Sequence, residues 1–443
     1  MQIYTEKISI RGIKRPRIAF EINSASWYYF RIYQNEQLVF QNISYDKAFV
    51  VELNNKRFGT KPITEDDLVV KVIELHKFSL ISLTYEITEL TENEVNTIDY
   101  PNINELGNEV ITTEKRYYKG DLHAHTFLSD GSLSPEDLIQ HAEAVGLDFF
   151  FITDHNIFQT YWPKSDVLVL PGVEFTGNTG HWNGLNVKHE YDMFDKPFDI
   201  ETLVGTHHLM DDLRNKGTLV SVNHPFLTIW SWLHEGLILD KIDCMELWND
   251  PSYKDNPKAT EEALNFWHHT LKCGHKISAV GGSDFHHLID EKDNNRTNAL
   301  NDPTTHVYLE QLDKETLLAG LKAGHVFVTR FIEVNAMNVL INEQQAIFGS
   351  QFEGEIPSQI VFSVDGETVD GELHVYTSTY HQSFKIIDNK VNVPIHLEEN
   401  DFVRFEIRTE SELISFTNPI YFGTLPRTAT TFKDVRDTYH VEV

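Results

Sequence analysis

The sequence predicts an α/β fold, a central parallel sheet with helical crossovers, flanked at both ends by small all-β domains. Three observations carry this. From residue 117 onward, short apolar runs alternate with helix-patterned stretches, as expected of strands joined by crossover helices. Before about residue 90 and after about residue 333 the texture is β-branched and aromatic, with no long helical period. Finally, the His, Asp and Glu residues best suited to chemistry fall at or just past the C-terminal ends of the central strands, where sheets of this kind carry their sites.

The elements follow in chain order. Residues 1–90 contain alternating or aromatic runs at 17–22, 28–33 and 80–87 and are expected to form a small antiparallel β-sandwich. Residues 91–116 are polar, with Pro101 and Gly107, and read as a linker or a strap laid along the next domain. Residues 117–332 hold seven buried strands, ending near His123, Asp154, Glu174, Val187, Asn223, Leu247 and Ser283. A helix between the first two is well marked. Ser134 is its expected N-cap, Pro135 its first residue, Glu136 and Asp137 suit its positive end, and Gly146 ends it. Further helices are expected over 199–216, 258–273 and 313–324, with a final strand at 326–329. Residues 333–443 return to strands, punctuated by Gly354, Gly366 and Gly371, and are expected to form a second small β-sandwich.

Composition narrows the function. A chain of 443 residues with 41% hydrophobic and 12% aromatic content is globular and divides into two or three domains. A formal charge of -30 disfavours a nucleic-acid duplex as partner, since duplex binding needs basic stripes. A small anionic substrate stays compatible, because bound cations dominate the local field. No apolar run approaches the roughly 18 residues of a membrane span. The first residues lack the basic and apolar regions of a leader, so a cytoplasmic location is expected. Cys244 and Cys273 read as small buried apolar residues. Oligomeric state is not legible.

Chemistry concentrates in a few motifs. Residues 120–131 place His123 and His125 at i and i+2, on one side of a strand, with Asp130 returning from the following turn. That is a ligand arrangement for a divalent cation. The apolar strand at 149–152 runs into Asp154 and His155. Residues 281–287 bring Asp284 and His286, again at i and i+2. Between them lie Glu174, His181, Asn183 and His224, each next to an apolar run closed by Gly or Pro. Of the 22 histidines, 17 fall between residues 118 and 330, where length alone would place about half.

The strings GDLHAHTFLSDG, TDHN, GVEFT and GGSDFH, in this order, resemble the polymerase-and-histidinol-phosphatase (PHP) superfamily of metal-dependent hydrolases. PGVEFTGNTGHWNGLN, VNHP and MELWN resemble the subgroup that includes bacterial carbaryl hydrolases. The resemblance covers roughly residues 117 to 335 and says little about either end. It implies a distorted seven-stranded βα barrel and two or three divalent ions, manganese, iron or zinc. His123, His125, Glu174 and Asp284 would hold one. Glu174 would bridge to a second, completed by His181 and His224. Asp130, His155 and His286 would hold a third. Many relatives carry histidine where Asp130 stands, and a carboxylate there favours manganese or iron over zinc. His189, His207 and His208 are rivals of His181 by proximity in sequence. Asp154 is expected to orient a neighbouring ligand or to serve as the catalytic acid. Asn156, Asn183 and Asn249 are candidate pocket residues, His287 a candidate cap, and Arg296 and Arg330 candidate grips for an anionic group, with Arg330 preferred.

The activity so implied is hydrolysis by a hydroxide bridging two cations, its pKa lowered to about 7. A phosphoesterase acting on a small phosphate ester or nucleotide is the leading expectation. A carbamate or carboxylester hydrolase of the same fold is the alternative, and a metal-stabilised binding module without turnover is the reading from another class.

Overall fold

The computed structural model describes residues 2–23, 27–44, 47–54, 60–64, 66–74, 82–95, 109–159, 165–288, 299–330, 332–410 and 412–441. Arg296, Pro101 and Gly107 lie outside the described residues. The N-terminal strands are β1 (Gln2–Ser9), β2 (Pro16–Asn23), β3 (Tyr28–Gln34), β4 (Gln37–Ser44), β5 (Ala48–Glu52), β6 (Asp67–Glu74) and β7 (Ser82–Glu89). They form two antiparallel sheets, β1-β6-β3-β4 and β5-β2-β7. Burial alternates strictly along β2, so Ile18, Phe20 and Ile22 face a core shared with Phe30, Ile32, Val70 and Val72 of the other sheet. β3 is buried on both faces. Phe30 and Ile32 belong to this core, while Tyr29 between them belongs to the central one.

The central segment runs β8 (Arg116–Asp121), α1 (Pro135–Ala144), β9 (Phe149–Ile152), β10 (Leu168–Gly177), β11 (Gly180–Leu185), α2 (Leu203–Asn215), β12 (Leu219–Val222), β13 (Cys244–Asn249), α3 (Asn256–Lys272), β14 (Ser278–Gly282), β15 (Thr304–Leu309), α4 (Lys314–Ala323) and β16 (Val326–Thr329). Ser134 caps α1 by accepting the Asp137 N–H at 3.1 Å, and Gly146 follows it at φ +73°. Strands β8 to β14 are neighbours in chain order within one 14-stranded sheet.

Two features depart from the expected all-parallel barrel. First, β11 runs antiparallel to both neighbours. Only Asn178 and Thr179 separate it from β10, too short a link for a parallel crossover. Second, among the described residues no ladder closes the sheet. β8 and β14 meet at one isolated bridge, Ala124 with Phe285, and β8 pairs with β15 instead. Side chains satisfy the edge of β14. Thr305 Oγ1 accepts the Gly281 N–H at 3.0 Å and donates to its carbonyl at 2.8 Å. Asn418 Oδ1 accepts the Ala279 N–H at 2.8 Å, and its Nδ2 donates to the carbonyls of Ala279 (2.8 Å) and Val326 (3.2 Å).

The C-terminal elements are β17 (Val334–Ile341), β18 (Gln344–Ala346), β19 (Gln359–Gly366), β20 (Glu372–Tyr376), β21 (His381–Lys385), β22 (Lys390–Pro394), β23 (Asp401–Arg408), β24 (Leu413–Thr417), β25 (Ile420–Phe422) and α5 (Phe432–Val441). β18-β17-β19-β22 form a sheet of their own. The rest extends the central sheet, because β24 pairs with β16. Residues of both C-terminal sheets, among them Val339, Ile360, Leu373 and Phe405, share one apolar core, while β24 also joins this segment to the central sheet. β16 alternates accordingly: Phe327 enters the C-terminal core, Val326 and Val328 the central one. Of the 91–116 stretch, Ile111 and Thr112 lie along Leu312 through two 2.8 Å backbone bonds. No helix among the described residues is long and apolar enough to cross a membrane.

Replacing Asn418 with Ala strips the partners from the buried Ala279 N–H and carbonyl. Each bared group costs about 1–3 kcal/mol, so urea unfolding should show a loss of about 2–5 kcal/mol. A loss under about 0.5 kcal/mol would mean that this edge is satisfied by other groups.

Candidate metal centre

The folding of β8, β9, β10 and β14 brings their C-terminal ends together. Past the ladders, backbone bonds continue the alignment: Thr153 N–H to Ala124 carbonyl (3.1 Å), Glu174 N–H to Thr153 carbonyl (3.2 Å), His125 N–H to Phe285 carbonyl (2.9 Å). His123, His125, Asp130, His155, Glu174, Asp284 and His286 converge there. His181 on β11 and His224 past β12 enter from the neighbouring side.

Glu174 is the hub, with no solvent exposure. Its Oε1 lies 3.3 Å from His123 Nε2, 3.2 Å from His181 Nδ1 and 3.5 Å from His224 Nε2. Its Oε2 lies 2.6 Å from His155 Nδ1 and 3.6 Å from His125 Nε2. Asp284 Oδ1 sits 3.2 Å from His123 Nε2 and 3.0 Å from His125 Nε2. Asp130 Oδ1 sits 3.5 Å from His155 Nε2 and 3.3 Å from His286 Nε2.

Three groups have donor atoms within 4.8 Å of one another: His123, His125 and Asp284; His155, Glu174 and His181; and His125, Asp130, His155 and His286. All nine expected residues are brought together, but the partition differs from that implied by the resemblance. His125 is shared between two groups, and His155 turns one nitrogen to Glu174 and the other to Asp130.

Surrounding residues fix the rings. Glu246 Oε1 lies 3.0 Å from His123 Nδ1, which leaves Nε2 facing Glu174 and Asp284. Glu246 Oε2 in turn accepts the His224 N–H and the Asn249 amide, both at 3.1 Å. Asn223 Nδ2 donates to Glu174 Oε1 at 3.0 Å. His286 Nδ1 lies 2.7 Å from the Asp284 carbonyl, which aims Nε2 at Asp130. Gly282 permits the His123–Glu246 approach: a Cβ there would stand 2.3 Å from Glu246 Oε1 and 2.6 Å from the His123 Cβ. Asp284 (φ +51°) and His224 (φ +30°) hold left-handed backbone, a strain that clusters at functional sites.

The electrostatics suit a cation. Burial pushes Glu174 towards protonation, but His123, His155 and His181 outweigh it and hold the carboxyl well below its usual range. Asp284 is held down likewise, chiefly by His123 and His286. Burial, then His286 and His155, pulls His125 down to about 3, so this ring is held neutral, the form in which an imidazole can bind a cation. Burial lowers His123 too, yet Asp284, Glu174 and Glu246 win and raise it: the cluster demands positive charge. His123 Nε2 and Asp130 Oδ1 are buried without a hydrogen-bond partner, although oppositely disposed atoms stand within 3.5 Å. His125 Nε2 and Asp284 Oδ1 are placed to share a hydrogen bond at 3.0 Å, but this crowding of imidazole nitrogens and carboxylate oxygens, with buried atoms left unpartnered, fits divalent cations.

Three expected site residues do other work. Asp154 is fully buried and does not line the cavity. Its carboxylate accepts from Thr126 N–H (2.7 Å), Thr126 Oγ1 (2.8 Å), Ser129 Oγ (2.7 Å) and Gln159 Nε2 (2.6 Å). Ser129 Oγ lies 3.4 Å from His125 Nδ1, so the Asp154 carboxylate reaches His125 through Ser129 and does not itself face the cavity. Asn183 is buried, donating to the Leu122 carbonyl at 3.2 Å, away from the cavity wall. Arg330 pairs with Asp302 at 2.8 Å and is not in the wall. Asn156 makes a turn with Thr176, and His189, His207, His208 and His287 do not line the cavity.

That cavity, of about 730 Å³, opens on Asp130, His155, Glu174, His181, His224, Asp284 and His286. Sequence reasoning missed Glu246, although an acid inside the apolar run 244–248 was a visible cue. It also missed Asn223 beside His224, and Trp27, whose place in the wall no local pattern announces.

No protein-family model matches the chain, and no curated protein sequence does. Among solved structures it is similar to a two-domain protein from Bacteroides vulgatus containing a predicted PHP-like metal-dependent phosphoesterase, at 16% identity and TM-score 0.38, over 71% of this chain and 98% of that one. A candidate metal-dependent phosphoesterase from Bifidobacterium adolescentis matches at 16% identity and TM-score 0.27, over 46% and 95%. An amidohydrolase from Chromobacterium violaceum, solved with sulfate and no metal, matches at 18% identity and TM-score 0.25, over 41% and 91%. At these scores the overlays are loose.

Gly282→Ala should cut metal affinity by about 10–100-fold, the range for lost ligand support, when titrated with manganese or zinc. Asp154→Asn should weaken it similarly, because an amide brings donors where four already converge. Wild-type affinity in either folded variant would mean that His123 or His125 needs no such support.

Proposed function

We propose that this chain is a metal-dependent hydrolase holding two or three divalent ions of the manganese, iron or zinc type, and that it cleaves a small phosphate ester. One observation carries the reading: six imidazoles and three carboxylates converge at the floor of a cavity large enough for a small organic molecule. His123, His125 and Asp284 would hold one ion, His155, Glu174 and His181 with His224 a second, and Asp130 and His286, with His125 and His155, a third. Such ions supply Lewis acidity and acidify water to a pKa of about 7.

The protein's own contribution is placement. Glu246 and Asn223 fix His123 and Glu174. Asp154, through Ser129, fixes His125. Burial of the floor keeps bulk water from screening the charges, which strengthens every interaction with developing negative charge. A phosphate ester brings anionic oxygens to such a floor before reaction, which supports phosphorus over carbon. One observation favours the carbamate or carboxylester alternative: among the described residues the wall holds no lysine or arginine to grip a phosphate beyond the floor.

Elemental analysis after reconstitution should find two or three ions per chain, falling to under one in His123→Ala and Asp284→Ala, both inactive. With manganese, bis(p-nitrophenyl) phosphate or p-nitrophenyl phosphate should be turned over. N-methylcarbamates cleaved roughly tenfold more efficiently in kcat/KM, about 1.4 kcal/mol of transition-state stabilisation, would transfer the function to carbon. Under one ion per wild-type chain would end the metalloenzyme reading.

A further inference from the structure

We propose that the N-terminal sheets complete the substrate pocket, and that Trp27 and Trp230 form a subsite for an uncharged aromatic group on the substrate. The proposal rests on the hydrolase reading above for what sits on the floor, but its own observations concern the walls. Trp27, just ahead of β3, lines the cavity and packs on the central core. Its ring centroid lies 5.5 Å from that of His155. His155 is 5.8 Å from His181, and His181 is 6.1 Å from Trp230. Four rings thus run in sequence along the wall, with the two indoles flanking two candidate ligands.

The Trp27 end is held firmly. Tyr29 Oη donates to the carbonyl of Asn156, next to His155, at 2.5 Å, and burial pushes its hydroxyl up to about 12, so it stays a donor. Gln41 Nε2 donates to the Phe158 carbonyl at 2.8 Å. These buried bonds tie β3 and β4 to the loop carrying His155. The Trp230 end is open: Ile229, Trp230 and Leu233 are 55%, 48% and 59% exposed where they line the cavity. Three large apolar side chains kept in water at the mouth of a polar site call for an apolar occupant.

Charge narrows that occupant. Among the described residues the wall has no lysine or arginine, whereas Glu201 stands at the rim, accepting the Asn178 N–H at 3.1 Å. A second anionic group, as in a nucleoside diphosphate, would meet this carboxylate with no cation to offset it. A neutral aromatic ring gains from edge or offset contacts with the indoles and loses nothing to Glu201.

The test uses full-length protein reconstituted with manganese. By calorimetry, phenylphosphonate should bind roughly tenfold tighter than methylphosphonate. Trp27→Ala and Trp230→Ala should bring the two affinities together, while Trp27→Phe keeps most of the gap and controls for folding. Phenol, which carries no anionic group, should show saturation-transfer NMR signals with wild type that fade in both alanine variants. Equal affinity of the two phosphonates for wild type, or a gap untouched by both alanine variants, overturns the subsite. Phosphonates that fail to bind while phenol binding still depends on both tryptophans would sink the phosphoester reading and leave the subsite standing.

Discussion

The constraint on which the site depends is a buried carboxylate. Glu174 has no solvent exposure and lies within 3.6 Å of five imidazoles. An ionised carboxylate removed from water costs several kcal/mol unless compensated by charge and hydrogen bonds. The compensation has to arrive from several directions, and residues at the ends of four strands, β8, β9, β11 and β12, provide it. This explains why the sheet curls until β8 and β14 touch at Ala124 and Phe285: a flat sheet would hold their ends too far apart for His123 and Asp284 to reach the same oxygen neighbourhood.

The curl creates a second problem, an unpaired edge on β14, and the chain solves it with side chains. Thr305 and Asn418 act as surrogate strand backbone, one from β15 and one from the link between β24 and β25. Because Asn418 also bonds the Val326 carbonyl, the C-terminal segment locks β14 to β16 and so indirectly steadies Asp284 and His286, which follow β14. The C-terminal strands thus contribute to the site without touching it. The left-handed backbone at Asp284 and His224 is tolerated for the same reason, since surrounding bonds over-determine it.

What the sequence disclosed follows from how local each feature is. The cap at Ser134 and the strand at 149–152 are set by neighbours in the chain, and the structure has them where the pattern places them, whereas His123 and His125, expected on a strand, lie just past the end of β8. The direction of β11 was equally local: two residues between Gly177 and Gly180 can make a hairpin and cannot make a crossover, so an all-parallel sheet was the wrong extrapolation from strand count. Sheet closure was not legible, because which of β14 and β15 takes the edge of β8 is decided by contacts between segments far apart in the chain, and β15 takes it. Nor was the fate of Arg330 or Asp154. A guanidinium is suited to a phosphate and to Asp302 alike, and a carboxylate beside a ligand reads the same whether it faces the cavity or is saturated by Thr126, Ser129 and Gln159. Partners fixed by tertiary contact decide such residues, and residue type does not.

The same distinction separates the floor of the cavity from its walls. The floor is written in short motifs at strand ends, where the backbone register between β8, β9, β10 and β14 leaves little freedom. His181 shows how tight this is. It stands opposite Thr176 across a two-residue turn, so any insertion there would move its ring away from Glu174. The walls come from elsewhere: Trp27 from ahead of β3, and Ile229, Trp230 and Leu233 from the long link between β12 and β13. None of these residues pairs in a ladder of the central sheet, although Trp27 and Trp230 pack beside His155 and His181. The floor is fixed by charge compensation, the outer wall by apolar packing: a change at Glu174 leaves five imidazoles without their shared carboxylate, whereas a change at Ile229 or Leu233 alters only partly exposed apolar surface.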